Sequence, residues 1–236
     1  MFGGVQYQAW ADIVYSVKTG KCAYEHQNGE SFFYYLEQNA KAAQTFNKAM
    51  TNYLQQVLIG VANAYDFSGF NKVVDVGGGH GALISNILSA NPKVRGVLFD
   101  APHVIEGAKE HIQAAGLSGR CELVAGDFFK SVPSGGDAYI LSSIIHDWDD
   151  DSSIAILKNC HDAMVEDGKL LLVEMVIPPG NEPFFGKLLD LHMLVMHGGH
   201  DRTEAEYRTL LAQAGFKMTK MITTKSLRSV VEAVRV

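Results

Sequence analysis

The sequence is poor in features that would assign it to a specialised class of protein. It contains 3 cysteines and 6 prolines in 236 residues. The cysteines, Cys22, Cys121 and Cys160, are too few and too far apart for a disulfide framework or a zinc site. We therefore expect free thiols in a reducing compartment. No low-complexity linker divides the chain, and the only shift in composition lies near residue 68.

Basic clusters and long apolar runs are also missing from the sequence. The 20 lysines and arginines are outnumbered by 26 acidic residues, and the formal net charge is -6. Without a basic run, a surface for nucleic acid is not expected. No apolar run approaches the roughly 20 residues of a membrane-spanning helix, and no signal peptide is recognisable at the first residues. These absences predict a cytoplasmic protein without a nucleic-acid or membrane partner.

Two patterns of apolar residues divide the chain into residues 1–68 and 69–236. In the first part, apolar residues recur at helical spacing over 5–20, 29–38 and 39–65. In the second part, short apolar runs alternate with helical stretches, which indicates a parallel sheet covered on both faces. These runs are 72–76, 95–100, 121–126, 138–143 and 169–177. Two further strands near the end, joined by a short turn, should pair antiparallel. The prediction is an α/β fold whose mostly parallel sheet ends in a hairpin.

A glycine-rich turn, VVDVGGGHGALI, occupies residues 73–84 between the first strand and the following helix. Gly77, Gly79 and Ala82 match the dinucleotide fingerprint, which on its own indicates only that a nucleoside-like ligand approaches this turn. No lysine or arginine lies in the turn to bind a phosphate group, so a ligand without phosphate is favoured.

Acidic residues stand at the ends of the first three strands. Asp75, Asp100 and Asp127 should point into one crevice, because ligands of parallel sheets bind at the carboxyl ends of strands. Asp100 is suited to accept hydrogen bonds from the two hydroxyls of a ribose. Asp127 is suited to accept from an adenine amino group, with Phe128 stacked on the ring.

The motifs of the chain, taken together, resemble those of one enzyme family. VVDVGGGHGALI, VLFDAPHVI, ELVAGDFFKSVP, AYILSSIIHDWDDD, GKLLLVEMVI and GGHDRTEAEYRTLLAQAGF are similar, in order and spacing, to the S-adenosylmethionine-dependent O-methyltransferases of the plant caffeate/flavonoid and bacterial polyketide type. The resemblance implies a class I methyltransferase (Rossmann-like) fold with seven strands, S-adenosylmethionine as cofactor and S-adenosylhomocysteine as product. It predicts a cofactor site formed by Asp75, Gly77, Gly79, Asp100, Ala101, Gly126, Asp127, Phe128 and Ser142. Plant members often carry lysine at the position of Ser142, so a lower cofactor affinity is expected here.

The segment HDWDDD follows the fourth strand and contains the expected catalytic base, His146. A phenol has a pKa of about 10, so a neutral imidazole is a suitable general base at pH 7. The resemblance places Glu174 and Asp201 beside this histidine to orient it. Plant members usually have glutamate in place of Asp201, so Asp201 either orients the ring or only caps the helix near Thr203. The acids at 149–151 should cap the helix that begins at this segment.

A set of apolar residues is expected to line a pocket for a planar aromatic acceptor. The candidates are Phe46, Met50, Trp148, Met175, Leu189, His192, Met193 and Met196. Ordinary core packing is the alternative role for each of them.

The leading interpretation is a metal-independent O-methyltransferase that acts on a small aromatic or polyketide-like hydroxyl. No metal site is expected, because the acidic run lies at a helix start rather than across strand ends. The alternatives are an N- or C-methyltransferase, a diverged hydroxylase or decarboxylase, an NAD-dependent oxidoreductase and a non-catalytic module that binds the cofactor. His146 with Glu174 favours catalysis on oxygen, and the terminal hairpin with Asp127 disfavours NAD.

The resemblance also implies a homodimer, which in the family forms through a winged-helix domain that precedes the segment beginning near residue 5. This chain is expected to lack that domain and to be a monomer or a weak dimer. The helices of residues 1–68 should then pack over the crevice and help to form the acceptor pocket.

Overall fold

The computed structural model describes residues 4–236, apart from the side chains of residues 47, 51–56 and 59. A seven-stranded sheet in the order β3-β2-β1-β4-β5-β9-β8 lies at its centre. Its strands are β1 (Lys72–Val76), β2 (Arg95–Asp100), β3 (Cys121–Ala125), β4 (Ala138–Ser142), β5 (Lys169–Glu174), β8 (Phe216–Thr223) and β9 (Ser229–Arg235). The first five pair in parallel, and β9 runs antiparallel to both β5 and β8. The predicted parallel sheet with a terminal hairpin is confirmed.

Ten helices of the described residues surround this sheet. They are α1 (Val5–Ala11), α2 (Ile13–Thr19), α3 (Ala23–Asn28), α4 (Phe32–Gln38), α5 (Ala40–Ala64), α6 (Ala82–Ala90), α7 (Pro102–Ala114), α8 (Asp150–Ala163), α9 (Gly186–Met196) and α10 (Glu204–Gln213). None of these helices combines the length and the apolar character that crossing a lipid bilayer requires. The helix predicted over 5–20 is interrupted at Asp12, and α3 was not predicted.

The two faces of the sheet are covered by different helices. On one face, Val57, Leu58 and Val61 of α5 pack with apolar residues of α6 and α7. On the other face, the apolar sides of α8 and α10 pack against the same strands. The three cysteines are free and buried, as expected. The composition boundary near residue 68 therefore does not separate two cores, since the end of α5 belongs to the core of the sheet.

The amino-terminal helices α1–α4 form a separate apolar cluster with α9. Tyr24 and Phe32 pack there with Val195 and Met196 of α9. The chain then leaves α9 and forms a short strand, β7 (Arg202–Thr203), which pairs in parallel with β6 (Val176–Ile177). This arrangement brings α9 and the segment after it to the carboxyl ends of the central strands, where the candidate site lies.

Candidate active site

The glycine loop after β1 is packed on one side and open on the other. Gly77 and Gly79 have φ angles of 69° and 59°, which side chains other than glycine rarely adopt. A Cβ at Gly77 would lie 2.5 Å from the Cδ1 atom of Ile144, whereas a Cβ at Gly79 would meet nothing within 4 Å. The loop therefore packs closely against the exit of β4 while its Gly79 side faces open space.

Asp100, at the end of β2, lies beside this loop. Its Oδ2 accepts a hydrogen bond from the backbone N–H of Gly79 at 2.8 Å, and its Oδ1 accepts from that of Ala101 at 2.7 Å. Burial raises the pKa of this carboxyl, and the two hydrogen bonds oppose that effect. A carboxylate offers about four acceptor positions. Asp100 therefore keeps acceptor capacity for the hydroxyls of a ligand.

Asp75 differs from the expectation that it points into the crevice. Its side chain is 0% exposed and lies beneath the loop, where a Cβ at Gly78 would be 2.6 Å from its Cγ. Burial, and then the charge of Asp100, raise the pKa of Asp75 to about 7. Asp75 thus supports the glycine loop from below.

The ends of β3 and β4 complete the crevice. Asp127 is exposed, and its Oδ1 accepts from the N–H of Phe129 at 3.0 Å. The ring of Phe128 meets that of Trp148 edge to face at 6.1 Å. Gly126 is required where it is, because a Cβ there would overlap the ring of Phe99. The buried Oγ of Ser142 has no hydrogen-bond partner among the described residues, so a ligand in the crevice can satisfy it.

His146 lies in a short 3₁₀ turn, Ile145–Asp147, that follows β4; we call these three residues the histidine turn. The Nδ1 atom of His146 is 3.4 Å from Glu174 Oε2 and 3.4 Å from Asp201 Oδ1. Its Nε2 atom is 3.4 Å from Asp147 Oδ1. The structure thus brings together the three predicted residues and adds Asp147, a carboxylate that the sequence had suggested only as part of a helix start.

The charges around His146 outweigh the effect of its burial. Burial on its own lowers the pKa of the imidazole, whereas Glu174, Asp147 and the contact with Asp201 raise it, to about 9. Mainly because of burial, the pKa of Asp147 is raised to about 6. The three carboxylates therefore favour the protonated ring, whereas the sequence predicted a neutral imidazole as the base.

Glu174 is held by a buried arginine that the sequence reading missed. Its Oε1 accepts from the backbone N–H groups of Ile144 and Ile145, each at 2.9 Å. Its Oε2 accepts from Nη1 of Arg228 at 3.1 Å, and both side chains are buried. Arg228 directly precedes β9, whose Ser229 pairs with Glu174 across the sheet. The sequence signal for this contact was a basic residue, Arg228, directly before β9, the strand that pairs with the Glu174 strand β5.

A second buried arginine, Arg202, was also missed. Its guanidinium donates to the carbonyl oxygens of Ile145 and Trp148, both at 3.0 Å, and to Asp150. The expected caps are present nearby: Asp149 accepts from the N–H of Ser152 at the start of α8. Thr203 caps α10, so Asp201 does not have the capping role that was its alternative.

The residues predicted to contact the acceptor lie on elements around the histidine turn. Leu189, His192, Met193 and Met196 are on α9, Phe46 and Met50 are on α5, and Trp148 and Met175 flank the turn. Trp10 Nε1 donates to His192 Nδ1 at 2.8 Å, and burial lowers the pKa of His192. Phe46 and Met196 belong to the cluster of the amino-terminal helices. Together they are the proposed acceptor wall, and some of them, such as Met196, also serve as core.

Two aromatic residues that were not predicted extend this wall. Phe33 of α4 stacks on Trp148 with ring centroids 6.4 Å apart and on His197 at 4.8 Å. Burial, followed by the charges of His146 and His192, lowers the pKa of His197 to about 3. A cavity of about 400 Å³ lies beside Asp147, Trp148 and His197. Asp147, which lies 3.4 Å from Nε2 of His146, is thus one of the residues that line this cavity.

Among the described residues, His146, Glu174 and Asp201 place potential ligand atoms within 4.8 Å of one another, as a metal site would. However, Glu174 already pairs with Arg228, and a metal cation placed beside that guanidinium would be repelled. The set fits an ion-pair network better than a metal site.

The comparisons with known proteins agree with this geometry. The family model described as "O-methyltransferase domain" matches residues 7–217. A phenazine O-methyltransferase of Lysobacter antibioticus is 51% identical over 233 residues, covering 99% of this chain and 68% of the relative. An 8-amino-8-demethylriboflavin N,N-dimethyltransferase of Streptomyces davaonensis is 34% identical, covering 95% of this chain and 65% of the relative. This chain thus spans about two thirds of these curated relatives.

A solved structure with the same fold provides a ligand-bound comparison. It is an O-methyltransferase from neocarzinostatin biosynthesis in complex with S-adenosylmethionine and 2-hydroxy-5-methyl naphthoic acid. The two share 34% identity and a TM-score of 0.90, over 98% of this chain and 69% of the other. The sequence resemblance is confirmed, and the chain belongs to the O-methyltransferase domain family.

Proposed function

We propose that this protein transfers a methyl group from S-adenosylmethionine to a hydroxyl of a small aromatic or polyketide-like acceptor. The observation that carries the proposal is His146, surrounded by three carboxylates at the carboxyl ends of the strands, next to the crevice of the glycine loop. The names of the phenazine relative and of the naphthoic acid complex support an aromatic acceptor.

The crevice residues are suited to the cofactor of the family. In this proposal Asp100 accepts from the ribose hydroxyls, Asp127 and Phe128 contact the adenine, and the unpartnered hydroxyl of Ser142 bonds to the ligand. Gly79, whose side faces open space, supplies a backbone that a ligand can approach closely. Gly77, Ala101 and Gly126 are the adjoining backbone positions of the crevice in this proposal. When bound, S-adenosylmethionine supplies an electrophilic methyl group together with its own leaving group.

His146 acts as the general base in this proposal. It accepts the proton of the acceptor hydroxyl at Nε2, while Nδ1 faces Glu174 and Asp201. These carboxylates orient the ring and stabilise the imidazolium that forms. In this proposal no metal takes part, because Glu174, one of the carboxylates beside the ring, is already paired with Arg228.

The helices of residues 1–68 form the acceptor side of the site in this proposal. The stack of Phe33 on Trp148 joins α4 to the histidine turn, and Trp10 of α1 contacts His192 of α9. A flat aromatic acceptor fits against such a surface, because aromatic rings bury large apolar areas at low entropic cost.

We also propose that the protein associates with a second copy of itself, as the family implies. Tyr7 of α1 and Val14 and Val17 of α2 are exposed apolar side chains, and exposed apolar surface favours association.

N-methylation is a second candidate, supported by the name of the riboflavin-analogue dimethyltransferase. An amine acceptor needs less help from a base. The three carboxylates around His146 therefore favour oxygen as the acceptor atom.

The test is His146→Ala, assayed with labelled S-adenosylmethionine and a panel of phenolic and polyketide acceptors. We expect turnover to fall by roughly 10²–10⁴-fold, the usual contribution of a general base. Cofactor binding, measured by calorimetry, should be retained because His146 is not among the crevice residues. His111→Ala on the exposed side of α7 is the matched control. Near-normal turnover of His146→Ala would show that another group, or proximity alone, performs this step.

A further inference from the structure

Arg202 contacts the histidine turn on both sides of His146. Its Nη1 donates to the carbonyl oxygen of Ile145, and its Nη2 donates to that of Trp148, both at 3.0 Å. These carbonyls belong to the residues directly before and directly after the pair His146–Asp147. The planar guanidinium therefore spans the turn and fixes its two ends relative to each other.

The guanidinium of Arg202 is almost completely buried, at 1% exposed, and each of its nitrogens has a partner. Asp150 Oδ1 accepts from Nη2 at 2.7 Å and from Nε at 3.0 Å. Burying a charge is costly unless it is paired and hydrogen-bonded. The full set of partners makes this a fixed arrangement and not a loose surface contact.

The segment that carries Arg202 also carries one of the acids beside the base. Asp201 precedes it directly, and Arg202 pairs with Val176 of β6, which follows Glu174 in the chain. Earlier in the same segment, Gly199 packs directly against the histidine turn, because a Cβ at this position would overlap the carbonyl oxygen of His146. Arg202 thus connects the histidine turn, its neighbour Asp201 and β6, the strand that follows Glu174.

We infer that Arg202 is a positioning residue for the proposed reaction: it holds the histidine turn so that Nδ1 of His146 stays within reach of Glu174 and Asp201. The inference rests on the proposed role of His146 as base. Arg202 touches neither acceptor nor cofactor and acts through the backbone that it binds. A lysine keeps the charge but cannot span two carbonyls and a carboxylate with a planar fork.

The charged and titratable groups that face His146 come from five places. They are Glu174 at the end of β5, Asp147 in the turn, Asp201 before β7, Arg228 before β9 and His197 after α9. If the turn moves away from Glu174 and Asp201, their charges stabilise the imidazolium less. The pKa of His146 then falls towards its ordinary value of about 6.5.

The experiment is Arg202→Lys in the full chain, with two readouts. We expect kcat per folded molecule, measured at the alkaline plateau of the pH profile where the ring is neutral in both proteins, to fall by roughly 10- to 100-fold, as for a small displacement of a catalytic group. The Kd for S-adenosylmethionine should stay unchanged. We also expect the titration of the His146 ring, followed by NMR with the His146→Gln spectrum for assignment, to move to lower pH. Asp150→Asn should shift both readouts in the same direction by less, because the bonds to the carbonyls remain.

Arg208→Lys on α10 is the control, since Arg208 pairs with Glu204 on the exposed surface. A lower melting temperature of Arg202→Lys with unchanged kcat and unchanged ring titration would overturn the inference, as would equal losses of kcat and cofactor affinity. A shifted ring titration together with full turnover of His146→Ala would instead leave the positioning role intact and refute the proposed base.

Discussion

The imidazole of His146 receives opposing influences from its surroundings. Burial favours the neutral ring, whereas Glu174, Asp147 and Asp201 favour the charged ring and raise its pKa to about 9. A phenol has a pKa of about 10, so a proton passes between the two groups at nearly equal free energy. In the proposed mechanism, the surrounding carboxylates therefore match His146 to a weakly acidic hydroxyl.

From this match we expect kcat to rise with pH and to reach half of its plateau near pH 9 and not near 6.5. The sign follows because only the neutral ring accepts a proton, and the raised pKa keeps the ring charged until the solution is alkaline. Initial rates at saturating cofactor and acceptor measure this profile. Glu174→Gln should move the midpoint to lower pH, and a profile with no inflection above neutrality would contradict the expectation.

The residues of this site could be identified from the sequence, but most of their interactions could not. His146 and Glu174 each stand in a motif at a strand end, so the sheet predicted that they lie on the same side, whereas only the family resemblance placed Asp201 beside them. Arg202 and Arg228 lie 52 and 54 residues from the acids that they contact, Asp150 and Glu174. Their roles depend on β7 lying beside β6 and on β9 lying beside β5, and the raised pKa of His146 depends on distances that only the folded chain sets.

At the scale of elements, the segment between α9 and α10 packs closely against the histidine turn. Gly199 is buried, and a Cβ there would lie 2.6 Å from the carbonyl carbon of Asp147, in addition to the overlap with His146. Backbone atoms cannot yield as a flexible side chain does. The turn itself must move if a side chain is added at this position.

We therefore expect Gly199→Ala to lower kcat by about 10-fold or more, since the base is displaced. It should also cost about 1–3 kcal/mol of unfolding free energy through overpacking. Enzyme assays and urea unfolding measure the two effects. Gly119→Ala is the control, because a Cβ there meets nothing within 4 Å. An active and fully stable Gly199→Ala protein would show that the turn has more room than its contacts indicate.

The central strands were predictable, whereas several short elements were not. β1 and β4 are buried on both faces, and this burial appears in the sequence as a continuous apolar run. The helix α3 has 6 residues, too few for a helical period to be visible. No glycine or proline in the sequence indicates the interruption at Asp12. The strands β6 and β7 have only 2 residues each.

At the scale of the whole molecule, the sheet and its helices were anticipated, but the division of the chain was too simple. The later turns of α5 pack in the core of the sheet, while α1–α4 pack on α9. A shift in composition reports how apolar residues are spaced along the chain. It does not report which core they join, because that depends on contacts between distant segments.

We expect the isolated chain to associate weakly through the exposed apolar face of α1 and α2. Val17 is 65% exposed there, so Val17→Lys should reduce association. Light scattering over a concentration series measures the mass, which should rise from monomer towards dimer. Val165→Lys is the control, an exposed valine outside these helices. A dimer that persists at nanomolar concentration, or a mass that never changes, would contradict this expectation.

The small ladder of β6 and β7 has a consequence for how such an enzyme diversifies. Its two rungs, Val176 with Arg202 and Ile177 with Thr203, fix the spacing of the backbones next to Glu174 and Asp201. The shorter Asp201 thereby comes as near to His146 as Glu174 does, at 3.4 Å. In the proposed mechanism, substitutions along α9 therefore reshape the acceptor wall and leave this ladder in place. The proposed acceptor contacts and the proposed proton-transfer contacts then lie on different elements, and each set is free to evolve at its own rate.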